Sequence, residues 1–273
     1  MSYSLKIKNK VIILKNKKFF WNFLDKITLQ VGQFFFGILI ARLLLPETYG
    51  TFAIVTIIYS FGNIIIDAGL GKSIIQNKKN SDIELNSIYW ANFLLSILVV
   101  LIIFSISDLL ESYLEFKNLS IALKISSSTI IISSLIVVPS ALLLKQQNFK
   151  ILFMCNAISI MISGITGYLL AANGFGIYSL LVQLILIKFI FLLCLVFLSK
   201  WSPKLIFSKG SLLARFGFTS KLLLSALLEF ITNLFTSLLV GKNLNGNSLG
   251  IFNRANSYSL AISSFFTGLL FSV

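Results

Sequence analysis

Charged side chains are scarce in this sequence, and the few that interrupt its apolar runs are where chemistry would reside. Lys188 stands in LLVQLILIKFIFLLCLVFL, Glu229 in LLLSALLEFITNLF and Arg254 in IFNRANSYS. A charge inside such a run is costly unless it faces water, a ligand or an opposite charge. Lys188 lies about ten residues, roughly 15 Å of helical rise, from the nearer end of its run, too far to snorkel comfortably. It faces a cavity or it pairs with a carboxylate, and Glu229 is the partner such a pair would use. Catalytic chemistry has little to work with. The chain has no histidine, no nucleophile motif and no phosphate-binding glycine loop. Cys155 and Cys194 both fall within apolar runs, so neither a disulfide nor a metal framework is implied. The reading is a non-enzyme without cofactor or metal.

Polar side chains recur at helical spacing on one face of several runs. The first carries Asn22, Lys26, Gln30, Gln33 and Gly37, and the second Thr56, Ser60, Asn63 and Asp67. The fifth carries Asn156, Ser159, Ser163 and Thr166, and the seventh Lys221, Ser225, Glu229, Thr232 and Thr236. Helices in lipid turn such faces inward, either to pack closely or to line a polar cavity. The charges favour a cavity for the first, second and seventh helices, and their absence favours packing for the fifth. Asp25 and Lys26 near the end of the first run also fit an interfacial position, and Asp67 fits the loop DAGLGK.

The elements that position these residues follow from composition. The chain of 273 residues is 57% hydrophobic and 12% charged, whereas soluble domains carry about 25% charged residues. No soluble fold of this length hides so much apolar surface, so the solvent is lipid. Runs long enough to span about 30 Å of hydrocarbon are predicted at 19–43, 48–66, 88–107, 119–144, 151–172, 175–199 and 218–241, with an eighth beginning near 250. Ten-residue alternating segments of a β-barrel are absent. The formal charge of +14 is a topology signal and not a nucleic-acid footprint. Lys6 to Lys18, Lys72, Lys78, Lys79, Lys145, Lys150, Lys200, Lys204, Lys209, Arg215 and Lys221 all fall on one side, which the positive-inside rule makes the cytoplasm. The N-terminus is therefore cytoplasmic.

Residues 38–52, ILIARLLLPETYGTF, align without a gap on residues 238–252, LLVGKNLNGNSLGIF, matching Leu39 with Leu239, Leu44 with Leu244, Gly50 with Gly250 and Phe52 with Phe252. Six helices separate the two copies, an even number that returns the chain to the same side, as in parallel transporter repeats. The predicted fold is an all-α polytopic membrane protein: a six-helix transporter lobe plus the first one to two helices of a second, repeat-related lobe. Its divisions are a basic cytoplasmic N-terminus at 1–18, the first lobe at 19–200, and a linker with the start of a second lobe at 201–273. The apolar run reaching Val273 without a positive anchor predicts a C-terminally truncated copy of a longer transporter.

The segments FWNFLDKITLQVGQFFFGILIARLLLPETYGTFAIV, DAGLGKSIIQNK, SIYWANFLLS, ANGFGIYSLLVQ, FGFTSKLLLS and LGIFNRANSYS, in that order, resemble bacterial polysaccharide-unit flippases. These are the Wzx- and teichuronic-acid-exporter-like members of the multidrug/oligosaccharidyl-lipid/polysaccharide exporter superfamily. The resemblance implies two lobes around a cavity open to one side at a time, in the bacterial cytoplasmic (inner) membrane. It implies an undecaprenyl-pyrophosphate-linked oligosaccharide as cargo, flipped for surface polysaccharide synthesis, with polymerase or assembly proteins and membrane lipid as partners. For such a cargo Lys26, Lys188 and Arg254 would replace the lost hydration of the pyrophosphate. Gln30, Gln33 and Asn63 suit sugar hydroxyls, while Asp67 and Glu229 bind a coupling ion or hold the cations. Arg42, Pro46 and Gly50 are expected at the outer turn, as a structural hinge. Alternatives are a cation-coupled multidrug exporter, in which buried acids would dominate, and a non-transporting subunit of a polysaccharide assembly complex. A membrane polymerase or glycosyltransferase would need a larger outer loop than any predicted here.

Overall fold

The computed structural model describes residues 2–67 and 69–243, together with Ala255 and Ser259. Eight helices follow one another within them: α1 (Ser2–Ala41), α2 (Pro46–Asp67), α3 (Leu70–Gln76), α4 (Asp82–Leu114), α5 (Leu119–Lys145), α6 (Phe149–Ala172), α7 (Ile177–Leu198) and α8 (Lys209–Asn243). The described residues contain no strand. Six helical segments are long and apolar enough to cross a membrane: 17–41 of α1, and α2, α4, α5, α6 and α7. The protein is an all-α polytopic membrane protein. The second copy of the internal repeat is described only as far as Asn243, and of the helix expected from 250 only Ala255 and Ser259 are described.

The ends of the helices have local causes. The predicted span 88–107 extends to Asp82 because Ser81 and Glu84 form a capping box. The Glu84 N–H donates to Ser81 Oγ at 3.3 Å, and the Ser81 N–H donates to Glu84 Oε2 at 3.0 Å. At the other end Glu115 turns left-handed and closes the helix through its N–H to the Glu111 carbonyl. Sequence reading misses α3, which is a single helix of seven residues hidden in a segment that reads as a turn. Its entry depends on Gly69 at φ 73°, where a Cβ would lie 2.8 Å from Leu222 of α8.

The packing inverts that of a soluble protein. Along α4, Leu94, Leu98, Leu101, Ile102 and Leu109 are exposed at helical spacing, whereas Asn92, Ser96 and Ser107 are buried. Small and hydroxylated residues sit where helices touch, because lipid removes any hydrophobic reason to bury leucine instead. Ser134 of α5 donates to Ser96 of α4 at 3.2 Å. Between α1 and α6, a Cβ on Gly32 would stand 2.7 Å from Ile160, and one on Gly164 would overlap the Phe36 ring. Helix α1 packs chiefly on α6, α6 on α7, and α5 on α4, α7 and α2. The two helices adjacent in sequence, α1 and α2, thus leave room between them.

The loops divide between two ends. Glu47 and Thr48, Lys117 and Asn118, and Phe175 meet at one end around a cavity of about 290 Å³. At the lysine-rich end Lys18 donates to Gln147 at 2.9 Å and Lys145 to the Asn77 carbonyl at 2.5 Å. The segment 199–208 is strapped across the start of α4. The Lys204 N–H donates to Asn86 Oδ1 at 2.5 Å, Lys204 Nζ reaches Asp82 at 3.0 Å, and the Ser208 N–H donates to Ser87 at 2.8 Å. Trp90 donates its indole N–H to the Lys204 carbonyl at 2.8 Å, and Trp201 stacks edge-on with Tyr89.

Candidate functional site

Between α1, α2 and α7 lies a cavity of about 490 Å³. Helix α1 supplies Gln30, Gln33 and Gly37, three of the five residues of its polar stripe, and α2 supplies Phe52 and Tyr59. Helix α7 presents Leu180, Gln183, Leu184, Ile187, Lys188 and Phe191, a broad face recurring every three to four residues. A second cavity of about 290 Å³ is bounded by Asn63 and Asp67 of α2, Lys72 of α3, Ser133 and Ser140 of α5, and again Lys188. Lys188 is therefore on the wall of both. Tyr59 and Ser133 complete this divide: Tyr59 lines the first cavity, Ser133 the second, and their hydroxyls lie 3.4 Å apart.

The sequence-predicted residues separate into three groups. Gln30, Gln33, Asn63, Asp67 and Lys188 come together around these two cavities. Lys26 is half-buried and lines neither, and Glu229 is exposed on α8. Arg254 lies outside the described residues. Among the described residues the ion pairs are Lys124–Asp108 at 2.8 Å and Lys204–Asp82 at 3.0 Å, so Lys188 and Glu229 are not paired. Asp67 shares the second cavity with Lys188 while accepting a hydrogen bond from the Gly71 N–H at 3.3 Å. The Asn63 amide donates to the Tyr59 carbonyl at 2.9 Å.

The expected outer turn is displaced. The chain reverses across residues 42–45, where Arg42 is exposed; Pro46 is already the first residue of α2, and Gly50 is buried inside that helix. Proline suits a first helical position, because the N–H it lacks would have no intrahelical acceptor there. Tyr49 beside Gly50 packs with Ile40, Ala171 and Leu180, fastening α2 to α1, α6 and α7. The stretch therefore joins α2 to three helices at this end.

Two participants escape sequence reading. Asp25, fitted there to an interface, is 6% exposed and accepts a hydrogen bond from Asn156 Nδ2 of α6 at 2.7 Å. Asn156 itself lines the larger cavity. Ser159, Ser163 and Thr166 donate to carbonyls of their own helix, and the first two are buried. Gln183 was missed because it projects about 140° around the helix from Lys188 and forms no stripe with it. Pairing Asp25 with an amide on another helix was the one available signal for the first; nothing in α7 signalled the second. Among the described residues, no three of His, Cys, Asp and Glu cluster as metal ligands.

A family model described as polysaccharide biosynthesis protein matches residues 39–273. The chain is 27% identical over 239 residues to the succinoglycan biosynthesis transport protein ExoT of Rhizobium meliloti (strain 1021), covering 88% of this chain and 48% of the relative. It is 24% identical over 199 residues to the teichuronic acid biosynthesis protein TuaB of Bacillus subtilis (strain 168), with 71% and 41% coverage. It is 26% identical over 231 residues to the lipopolysaccharide biosynthesis protein WzxC of Escherichia coli (strain K12), with 82% and 45% coverage. The chain thus spans about half the length, or less, of these curated relatives. No solved structure matches.

Proposed function

The chain belongs to the polysaccharide biosynthesis protein family, and from that premise we propose that it is the first lobe of a carrier that flips undecaprenyl-pyrophosphate-linked oligosaccharide repeat units across the bacterial cytoplasmic membrane. It acts as a transporter and not as an enzyme. The observation that carries the reading is Lys188, a mid-helix ammonium on the wall of two adjoining cavities that also present Gln30, Gln33, Gln183, Asn63 and Asp67. An unpaired cation at that depth calls for an anion, and a pyrophosphate has oxygens for all three ammonium donors. The relatives named for succinoglycan transport and for teichuronic acid and lipopolysaccharide biosynthesis support a glycan as the rest of the cargo.

In this mechanism Lys188 holds the pyrophosphate while Gln30, Gln33 and Gln183 exchange hydrogen bonds with sugar hydroxyls, replacing water one for one. The prenyl tail stays in lipid against the exposed leucine faces. Lys26 adds positive charge near the path. A second lobe, facing the cavities, closes one side as the other opens. Asp25, held by Asn156 at the edge of the larger cavity, is the best-buried carboxylate for coupling to a proton or cation. Asp67 is the second candidate, and Glu229 comes last because it is exposed. Among the described residues the wall of the larger cavity carries a lysine and no carboxylate, which favours an anionic cargo over the cationic drugs of a multidrug exporter. The lysine-rich end with the N-terminus faces the cytoplasm, and polymerase or assembly proteins receive the product outside.

The test is deletion of the gene encoding the whole protein in its own organism. Lipid-linked repeat units should accumulate in the inner leaflet while surface glycan is lost, and the plasmid-borne gene should restore both. Unchanged surface glycan and unchanged lipid-linked intermediates would sink the proposal.

A further inference from the structure

At the lysine-rich end, a separate cavity of about 460 Å³ opens among the ends of α4, α5, α6 and α7, with Ser199, Lys200 and Trp201 of the strap on its wall. Its depth is apolar: Leu85 and Leu143 are buried there, beside Pro139, Leu142 and Ile151. Its remaining wall is polar and carries Gln146, Asn148, Lys200 and the indole of Trp201. The neighbouring cations are engaged elsewhere. Lys145 donates to the Asn77 carbonyl, Lys18 to Gln147, and Lys150 sits 5.7 Å over the Trp21 ring. Lys200 is exposed and forms no ion pair among the described residues.

We propose that this cavity seats one anionic phospholipid from the leaflet at the lysine-rich end, with an acyl chain in the leucine-lined depth and the phosphate at Lys200. The chemistry is complementary at both ends. Hydrocarbon gains burial against leucine, and a phosphate gains a charge-assisted hydrogen bond from Lys200, with two amides beside it as further donors. Trp201 supplies the amphipathic ring that suits the headgroup level. Basic pockets between membrane helices bind anionic headgroups by this same combination. An occupant here touches the strap and α4 together, so it would hold the linker to α8 against the first lobe. The proposal does not depend on the cargo.

The test is native mass spectrometry of the full chain in detergent, titrated with palmitoyl-oleoyl phosphatidylglycerol and, separately, with the phosphatidylcholine of the same chains. One phosphatidylglycerol should be retained and phosphatidylcholine should be stripped. Lys200→Gln should weaken phosphatidylglycerol retention roughly tenfold, the loss of one charge-assisted contact, and Leu142→Trp should fill the cavity and abolish retention. Lys200 is exposed, so its variant keeps the test decisive should Leu142→Trp fail to fold. Equal retention of both lipids, or phosphatidylglycerol retention unchanged in the Lys200 variant, would overturn the proposal. So would one-for-one displacement by undecaprenyl phosphate at equal concentration, which would give the cavity to the prenyl carrier.

Discussion

At the scale of single residues, Lys188 and Asp25 illustrate what a sequence can and cannot tell. Lys188 was legible because one charge in a long apolar run has few physical explanations. Its partner was not, because ion pairing depends on how α7 and α8 are turned; the described residues show the two cavities and no contact with Glu229. Lys188→Leu should cut glycan export at least tenfold in a complementation assay, the loss of roughly one charged hydrogen bond, while Lys188→Arg keeps most of it. Lys188 and Glu229 form no ion pair among the described residues, so adding Glu229→Leu should not restore the Lys188→Leu variant. Asp25 was illegible because an aspartate at the seventh position of a run reads as interfacial until its burial is known. Asn156→Leu removes the amide that donates to Asp25 at 2.7 Å and leaves a buried acceptor unmet. Thermal unfolding in detergent should show a loss of about 2 kcal/mol, much of it recovered when Asp25→Leu is added, since an unmet polar group costs more than an absent one.

At the scale of elements, hydrophobic run length located every long helix, because a backbone in lipid must satisfy its own hydrogen bonds within one segment. It could not locate α3, whose seven residues bury one face against α5 and α8 instead of crossing lipid. It also misjudged Pro46 and Gly50 as a turn, where a proline-started helix begins. Contacts between helices were legible only as a composition of small residues. Which ones touch is decided by packing, as at Gly164, whose missing Cβ admits the ring of Phe36, itself only 6% exposed. A ring so enclosed has nowhere to move. Gly164→Ala should therefore destabilise the α1–α6 pair by about 1–3 kcal/mol, read as a lower melting temperature in detergent.

At the scale of the molecule, the division of the loops between two ends was legible from charge. Lysines that the sequence assigns to one side meet at one end, where Lys18 donates to Gln147, Lys145 to the Asn77 carbonyl and Lys150 lies over the Trp21 ring. Topology is checked with single cysteines in a chain lacking Cys155 and Cys194. A membrane-impermeant maleimide should label Phe175→Cys in intact cells and Lys78→Cys only after permeabilisation; both side chains are exposed. The reverse pattern would invert the orientation. The strap at 199–208 was not legible as anything but a basic linker. Its attachment to α4 through Asn86, Ser87 and Asp82 joins residues more than a hundred positions apart, and no local pattern signals such a contact.

The sequence by itself determined the solvent, the class of structure, the order of the long helices among the described residues, and the rarity of charge that makes Lys188 conspicuous. Each of these follows from local composition, since lipid imposes the same demand on every segment that crosses it. Tertiary structure alone decided which polar faces meet. The rotation of α1, α2 and α7 brings Gln30, Gln33, Gln183 and Lys188 around one space, and the seating of α6 against α1 buries Asp25 under Asn156. Those outcomes depend on close packing of small residues between distant helices, and that complementarity is a property of pairs, which no single segment carries.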